Sequence, residues 1–179
     1  MKRIDLQYVS PDFTLIEKKD STQINSFGRM NTWMGDAGKE YHLTVLTHQP
    51  GNCSLQIGFC DESFSLEPPL FHCSKKFCGS VFYGVGDDRK GMSVAYDPVQ
   101  SKTWNKAKPT SVEEIDIQDG DFFHCSYNDN FIEIDVFKKN SGNIKKIKIP
   151  TITFKNPRPC FSLMNNISVK VCKSAILKV

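Results

Sequence analysis

The chain has 179 residues, a net charge of +3, 39% hydrophobic residues and 24% charged residues. That length buries one sizeable core, so a single domain is expected, and the charge is too small to argue by itself for nucleic acid. No run nears the roughly 18 consecutive apolar residues of a membrane-spanning helix.

Met1-Lys-Arg-Ile-Asp-Leu has basic residues with no apolar stretch behind them, so it lacks the hydrophobic region of a secretory signal. A cytoplasmic or nuclear location is expected. Ile4, Leu6 and Tyr8 alternate, and a second apolar stretch, Phe13-Thr-Leu-Ile16, follows Pro11; both read as peripheral strands. Asp20 to Asn31 is polar and contains glycine, the pattern of a loop leading to Thr32-Trp33-Met34-Gly35. Residues 1–32 are therefore expected to be peripheral strands and loop, and 33–172 the core of one domain spanning 1–179.

Tyr41, Leu43 and Val45 share one strand face, as do Leu55, Ile57 and Phe59. The turn signal Gln49-Pro-Gly-Asn52 between them predicts a hairpin. Asp61 to Lys76 reads as loop. Strand character resumes in Gly79-Ser-Val-Phe-Tyr-Gly-Val-Gly86 and, after a polar turn, in Met92-Ser-Val-Ala-Tyr96. The long polar connection from Asp97 to Ile115 contains Ser111-Val-Glu-Glu114, which fits a capping box, although Gly120 leaves room for no more than a short helix.

From Asp116 to Asn140 two strands and their turns are in plain view. Phe122 to Tyr127 lies between Asp119-Gly120-Asp121 and Asn128-Asp129-Asn130, and Ile132, Ile134 and Val136 then alternate against Glu133 and Asp135. This is an antiparallel hairpin. Ile144 to Ile149 and Ile152 to Phe154 read as lysine-faced strands broken by Pro150. Lys138, Lys139, Lys145, Lys146 and Lys148 mark a solvated sheet edge. Cys160 to Met164 and Ile167 to Cys172, separated by Asn165-Asn166, predict a last hairpin. No segment sustains a helical period, so the fold class is all-β, an antiparallel β-sandwich.

Several of these stretches, in this order, resemble the SPRY (B30.2-like) domain family. Gly120-Asp121 opens a hairpin similar to the family's "GD" hairpin, and Ile57-Gly58 is similar to the "IG" pair of its early strands. Arg158-Pro159-Cys160-Phe161-Ser162-Leu163, followed by an alternating strand, resembles the closing "YPxxSL" pattern, with arginine in place of tyrosine; Asn140-Ser141-Gly142 stands where the family has asparagine-glycine. The resemblance spans about Trp33 to Val171. It implies a concanavalin-like sandwich whose loops at one end bind a short segment of a protein or peptide partner, often as an adaptor, with no cofactor and no catalysis.

The residues themselves offer little chemistry. His72-Cys73 and Cys78 suggest half of a zinc site, but the second close pair of ligands is missing unless Cys53 and Cys60 supply it from another loop. His124 and Cys125 are adjacent on a strand and so face opposite ways, which excludes a dyad, and no nucleophile elbow or phosphate loop is present. Glu133 and Asp135 occupy the solvent face of an amphipathic strand. The seven cysteines (Cys53, Cys60, Cys73, Cys78, Cys125, Cys160, Cys172) are an odd number scattered through strand-like segments, so they read as buried thiols in a reducing compartment. No metal site, cofactor or enzymatic activity is expected.

Trp104 is the one large aromatic of a polar, proline-bounded loop, with no alternating row to join. Tyr83 and Arg89 belong to preceding segments, and Trp33 and Tyr96 complete the candidate partner-binding set, since Trp, Tyr and Arg dominate interface energetics. The expected partner is a protein or peptide bound by a monomer, without nucleic acid or membrane. A carbohydrate-binding sandwich, in which Trp33, Trp104 or Tyr83 stacks on sugar, is the rival reading.

Overall fold

The computed structural model describes residues 5–8, 13–18, 21–26, 31–35, 37–49, 54–64, 77–83, 93–96, 109–113, 115–151, 153–164 and 166–173. The regular elements among them are strands: β1 (Asp5–Tyr8), β2 (Phe13–Lys18), β3 (Ser21–Ser26), β4 (Asn31–Met34), β5 (Glu40–His48), β6 (Ser54–Cys60), β7 (Phe77–Tyr83), β8 (Ser93–Tyr96), β9 (Pro109–Glu113), β10 (Phe122–Tyr127), β11 (Phe131–Phe137), β12 (Ile144–Pro150), β13 (Arg158–Met164) and β14 (Ile167–Lys173). They form two seven-stranded sheets, sheet I in the order β1-β4-β13-β6-β7-β8-β9 and sheet II in the order β12-β11-β10-β5-β14-β3-β2. The architecture is the antiparallel β-sandwich expected from the alternating pattern.

The core lies between the sheets. Tyr41, Leu43 and Val45 of β5, Phe123 and Cys125 of β10, and Ile132, Ile134 and Val136 of β11 meet Leu55, Ile57 and Phe59 of β6 and Phe161 and Leu163 of β13. These are the alternating rows read from the sequence, buried on one face of each strand. Aromatic edges interlock across the layers, with the Tyr41 and Phe59 rings 5.3 Å apart and those of Phe82 and Phe123 5.0 Å apart.

The hairpin of β10 and β11 is confirmed, with Phe122 opposite Phe137 through to Tyr127 opposite Ile132. The other two expected hairpins are corrected. β5 pairs with β10 and β14 in sheet II while β6 pairs with β13 and β7 in sheet I, and β13 and β14 likewise belong to different sheets. In both places the chain reverses and crosses to the opposite layer. Turn residues specify reversal, whereas pairing is decided by which sheet has room for the strand.

Three local expectations also change. The loop expected over 20–31 contains β3, whose polar residues pair with β2 and β14 while Ile24 enters the core. The capping-box stretch beginning at Ser111 lies in β9 and its register with β8, not in a helix. Pro150 ends β12 opposite Phe131, and Thr153 and Phe154 belong to no strand.

The Gly120-Asp121 pair has a physical role. Gly120 has φ of +86°, and a Cβ there would come within 2.2 Å of Lys139 Cδ. Asp121 has no solvent exposure. Its carboxylate accepts from Gln118 N at 2.9 Å and Lys139 N at 3.2 Å and pairs with the Lys138 ammonium. Lys138 also donates to Asp116 O at 2.7 Å. Burial alone would raise the Asp116 carboxyl, but the Lys138 charge and the Gln118 and Lys138 hydrogen bonds hold it below the usual carboxylate range. Lys138 is therefore half of a buried ion pair, not one of the solvated edge lysines. Lys145, Lys146 and Lys148 are exposed on β12, the edge of sheet II, as expected.

Gly58 is explained by crowding. A Cβ there would lie 2.0 Å from the carbonyl oxygen of Cys78, and the Tyr41 hydroxyl both accepts from Gly58 N and donates to Gly58 O at 3.0 Å. Gly58→Ala is expected to cost more than about 2 kcal/mol, read by denaturant unfolding. Asp121→Ala, which removes the buried partner of Lys138 and the acceptor of two backbone amides, should cost about 3–5 kcal/mol, and pairing Asp121→Leu with Lys138→Met should recover most of it.

Candidate ligand-binding face

The two sheets differ in how they meet solvent. On the side of sheet I away from the core, Met34, Gln56, Cys60, Cys160 and Ser162 are all buried. On the corresponding side of sheet II, Thr44, Phe122, His124, Ser126, Glu133 and Phe137 are half-buried or exposed. Among the described residues, sheet II presents the open face.

Strand register orders that face into rows, because side chains opposite one another in antiparallel strands point the same way. The first row runs Ile144, Phe137, Phe122, Thr44, Lys170. Ile144 is 52% and Phe137 37% exposed, the exposed large hydrophobics among the described residues. The Phe137 and Phe122 rings lie 5.6 Å apart, and Phe122 stacks on His42 at 5.1 Å. An aromatic and aliphatic stripe thus starts at the sheet edge and runs inward.

The second row runs Lys146, Asp135, His124, His42, Cys172. The two imidazoles stack at 4.7 Å with 16° between their planes. Glu40 lies 3.9 Å and Asp135 3.8 Å from His124, and Lys146 is 3.9 Å from Asp135. These separations are solvent-screened ion pairs worth little stability. His42 is 7% exposed, and its Nδ1 is buried with no hydrogen-bond partner. In the third row Lys148 lies 4.0 Å from Glu133 and also covers the Phe131 ring, 3.6 Å from its centroid.

Burial, reinforced by the charge of His124 and opposed by Glu40, lowers the His42 pKa from its usual 6.5. The folded protein therefore prefers a neutral ring. Stability from this source is complete above the usual value and is lost as pH falls from there through the lowered folded value.

His124 and Cys125 do face opposite ways, with Cys125 in the core. Burial pushes the Cys125 thiol up beyond any reactive range. Cys60, Cys78, Cys125 and Cys160 are buried thiols, and Cys172 is a partly exposed one; Cys53 lies outside the described residues. So do His72 and Cys73 of the zinc motif considered above. Among the described residues, no group of three His, Cys, Asp or Glu side chains converges on one point.

Of the sequence-derived set, Trp104 and Arg89 also lie outside the described residues. Trp33 is in β4 opposite Phe161, Tyr83 ends β7 opposite Ser54, and Tyr96 ends β8 opposite Pro109. All belong to sheet I. Trp33 is level with Ser80 through Phe161 and Ile57, whereas Tyr83 is on the order of 10 Å further along the strand, so register does not gather them into one row. The stripe on sheet II holds no Trp, Tyr or Arg. Its signal was an apolar residue, Phe137, ending the otherwise acidic outward face of Glu133 and Asp135.

No protein-family model matches the chain, and no curated protein matches it. Solved structures share its fold. The SPRY domain of human HERC1 is 10% identical, with a TM-score of 0.58 over 96% of this chain and 98% of that one. A second human SPRY domain is 10% identical, with a TM-score of 0.51 over 89% and 96% of the two chains. The lectin UEA-II, solved with galactose, is 8% identical, with a TM-score of 0.54 over 96% and 98%. The sandwich is thus SPRY-like and lectin-like at once. On the pH argument, the melting temperature should fall between about pH 7 and pH 5 and fall less in His42→Phe, with calorimetry as the measurement.

Proposed function

From the SPRY-like sandwich and its open sheet, we propose that this chain is a protein-interaction module without catalysis that binds a short segment of a partner protein. The observation that carries this reading is the Ile144–Phe137–Phe122 stripe, an apolar row left exposed on the face of a rigid sheet. Exposed contiguous apolar surface rimmed by charge is a recurrent mark of protein contact sites. Glu133, Asp135, Lys146 and Lys148 supply that rim and orient a partner whose apolar side chain covers Phe137. The buried thiols fit a cytoplasmic or nuclear protein.

The SPRY resemblance implies loops at one end as another location for the same function, and Trp104, the large aromatic of a polar, proline-bounded stretch, is the candidate anchor there. A carbohydrate-binding reading is favoured by one observation, the comparable fit of a galactose-bound lectin. Peptide display against the chain, run beside a glycan array, separates the classes. A peptide ligand is expected, and Phe137→Ser with Ile144→Ser should weaken it by at least about tenfold while Trp104→Ala has a smaller effect. Binding confined to glycans would refute the protein-interaction reading. Loss only in Trp104→Ala would move the site to the loops.

A further inference from the structure

Behind sheet I lies a second, separate cluster of Met34, Cys60, Phe64, Phe77 and Cys160. Its three sulfur residues come from three neighbouring strands. Met34 of β4 stands directly opposite Cys160 of β13, and Cys160 stands opposite Gly58, two residues before Cys60 in β6. Gly58 and Cys60 share one face of β6, so Cys160 and Cys60 are diagonal neighbours across the strand pair. The Cys60 thiol donates to Met34 Sδ at 3.2 Å. All three residues are at most 1% exposed.

Buried sulfur often does no more than fill space. Here a charge accompanies it. Arg158 stands opposite Cys60 in the β13–β6 register and is fixed by donation from Nε to Gly35 O at 2.6 Å. Burial and the adjoining Cys60 push the Cys160 thiol up, while the Arg158 guanidinium pulls it down. Arg158 also stands where the SPRY pattern has tyrosine.

We propose that Cys60, Cys160 and Met34 form a three-sulfur site for copper(I), with Arg158 balancing its charge. Two thiolates and one thioether match the preference of a soft monovalent cation, whereas a thioether is a poor ligand for zinc. Binding replaces two thiol protons, which pass to solvent, and leaves a complex of one net negative charge that the Arg158 cation offsets. No electron changes hands. Affinity should therefore fall as pH falls, and the dry surroundings of Phe64 and Phe77 should keep the ion from water and oxygen. This site is independent of the binding face on sheet II.

The test is anaerobic titration of the reduced chain with copper(I) in competition with bathocuproine disulfonate. One equivalent should be taken up, and the melting temperature should rise with it. Cys60→Ala with Cys160→Ala should abolish both effects, Met34→Leu should weaken uptake at least tenfold, and Cys125→Ala should change nothing. Should the double variant fail to fold, X-ray absorption of the copper-loaded wild type decides, with three sulfur neighbours expected. Failure of the wild type to compete for copper, unchanged uptake in the folded double variant, or a copper shell of nitrogen or oxygen would overturn the proposal.

Discussion

A carboxylate with no solvent exposure must find a cation and donors nearby, and Asp121 finds both in the Lys138 ammonium and the amides of Gln118 and Lys139. That requirement ties the segment leading into β10 to the turn that leaves β11. Gly120, at its positive φ, donates to Val45 O at 2.7 Å, and Val45 N donates to Asp121 O at 2.9 Å, so β5 is held in the same knot. With three strands pinned at one end, their register is set. A slip of one residue would turn Phe123 and Cys125 outward and Phe122 and His124 into the core.

The open face follows from that register. Phe137 comes opposite Phe122 and His124 opposite His42 only in this alignment, so the stripe and the imidazole stack are consequences of the ion pair as much as of their own residues. Sheet I is built otherwise. Its side away from the core is buried around Met34, Cys60 and Cys160, which leaves sheet II as the layer that meets a partner among the described residues. The same asymmetry encloses sulfur in one layer and exposes aromatic rings on the other.

How much of this was legible depended on the kind of signal. The β10–β11 hairpin was plain because strict alternation and turn residues on both sides agree on one answer. Gln49-Pro-Gly-Asn52 and Asn165-Asn166 carry equally good turn chemistry, yet the strands around them separate into opposite sheets. Local residues do not state the layer of the next strand. β3 was read as loop because Ser21-Thr-Gln-Ile-Asn-Ser26 shows the core only Ile24, with its order supplied by pairing to β2 and β14. The lysines divided in a way composition cannot reveal, with Lys138 buried against Asp121 and Lys146 left 77% exposed. The stripe was hidden because Ile144, Phe137 and Phe122 lie on three different strands and become neighbours only in register.

The central claim, that the outer face of sheet II receives the partner, is tested most directly by amide nuclear magnetic resonance. A display-selected peptide would be titrated into the labelled chain and the shifted residues mapped. The account predicts a contiguous set across β10, β11 and β12 centred on Phe122, Phe137 and Ile144, with the His42 and His124 ring signals moving in step. Shifts confined to residues 97–108 or to sheet I, with those three residues unmoved, would contradict it.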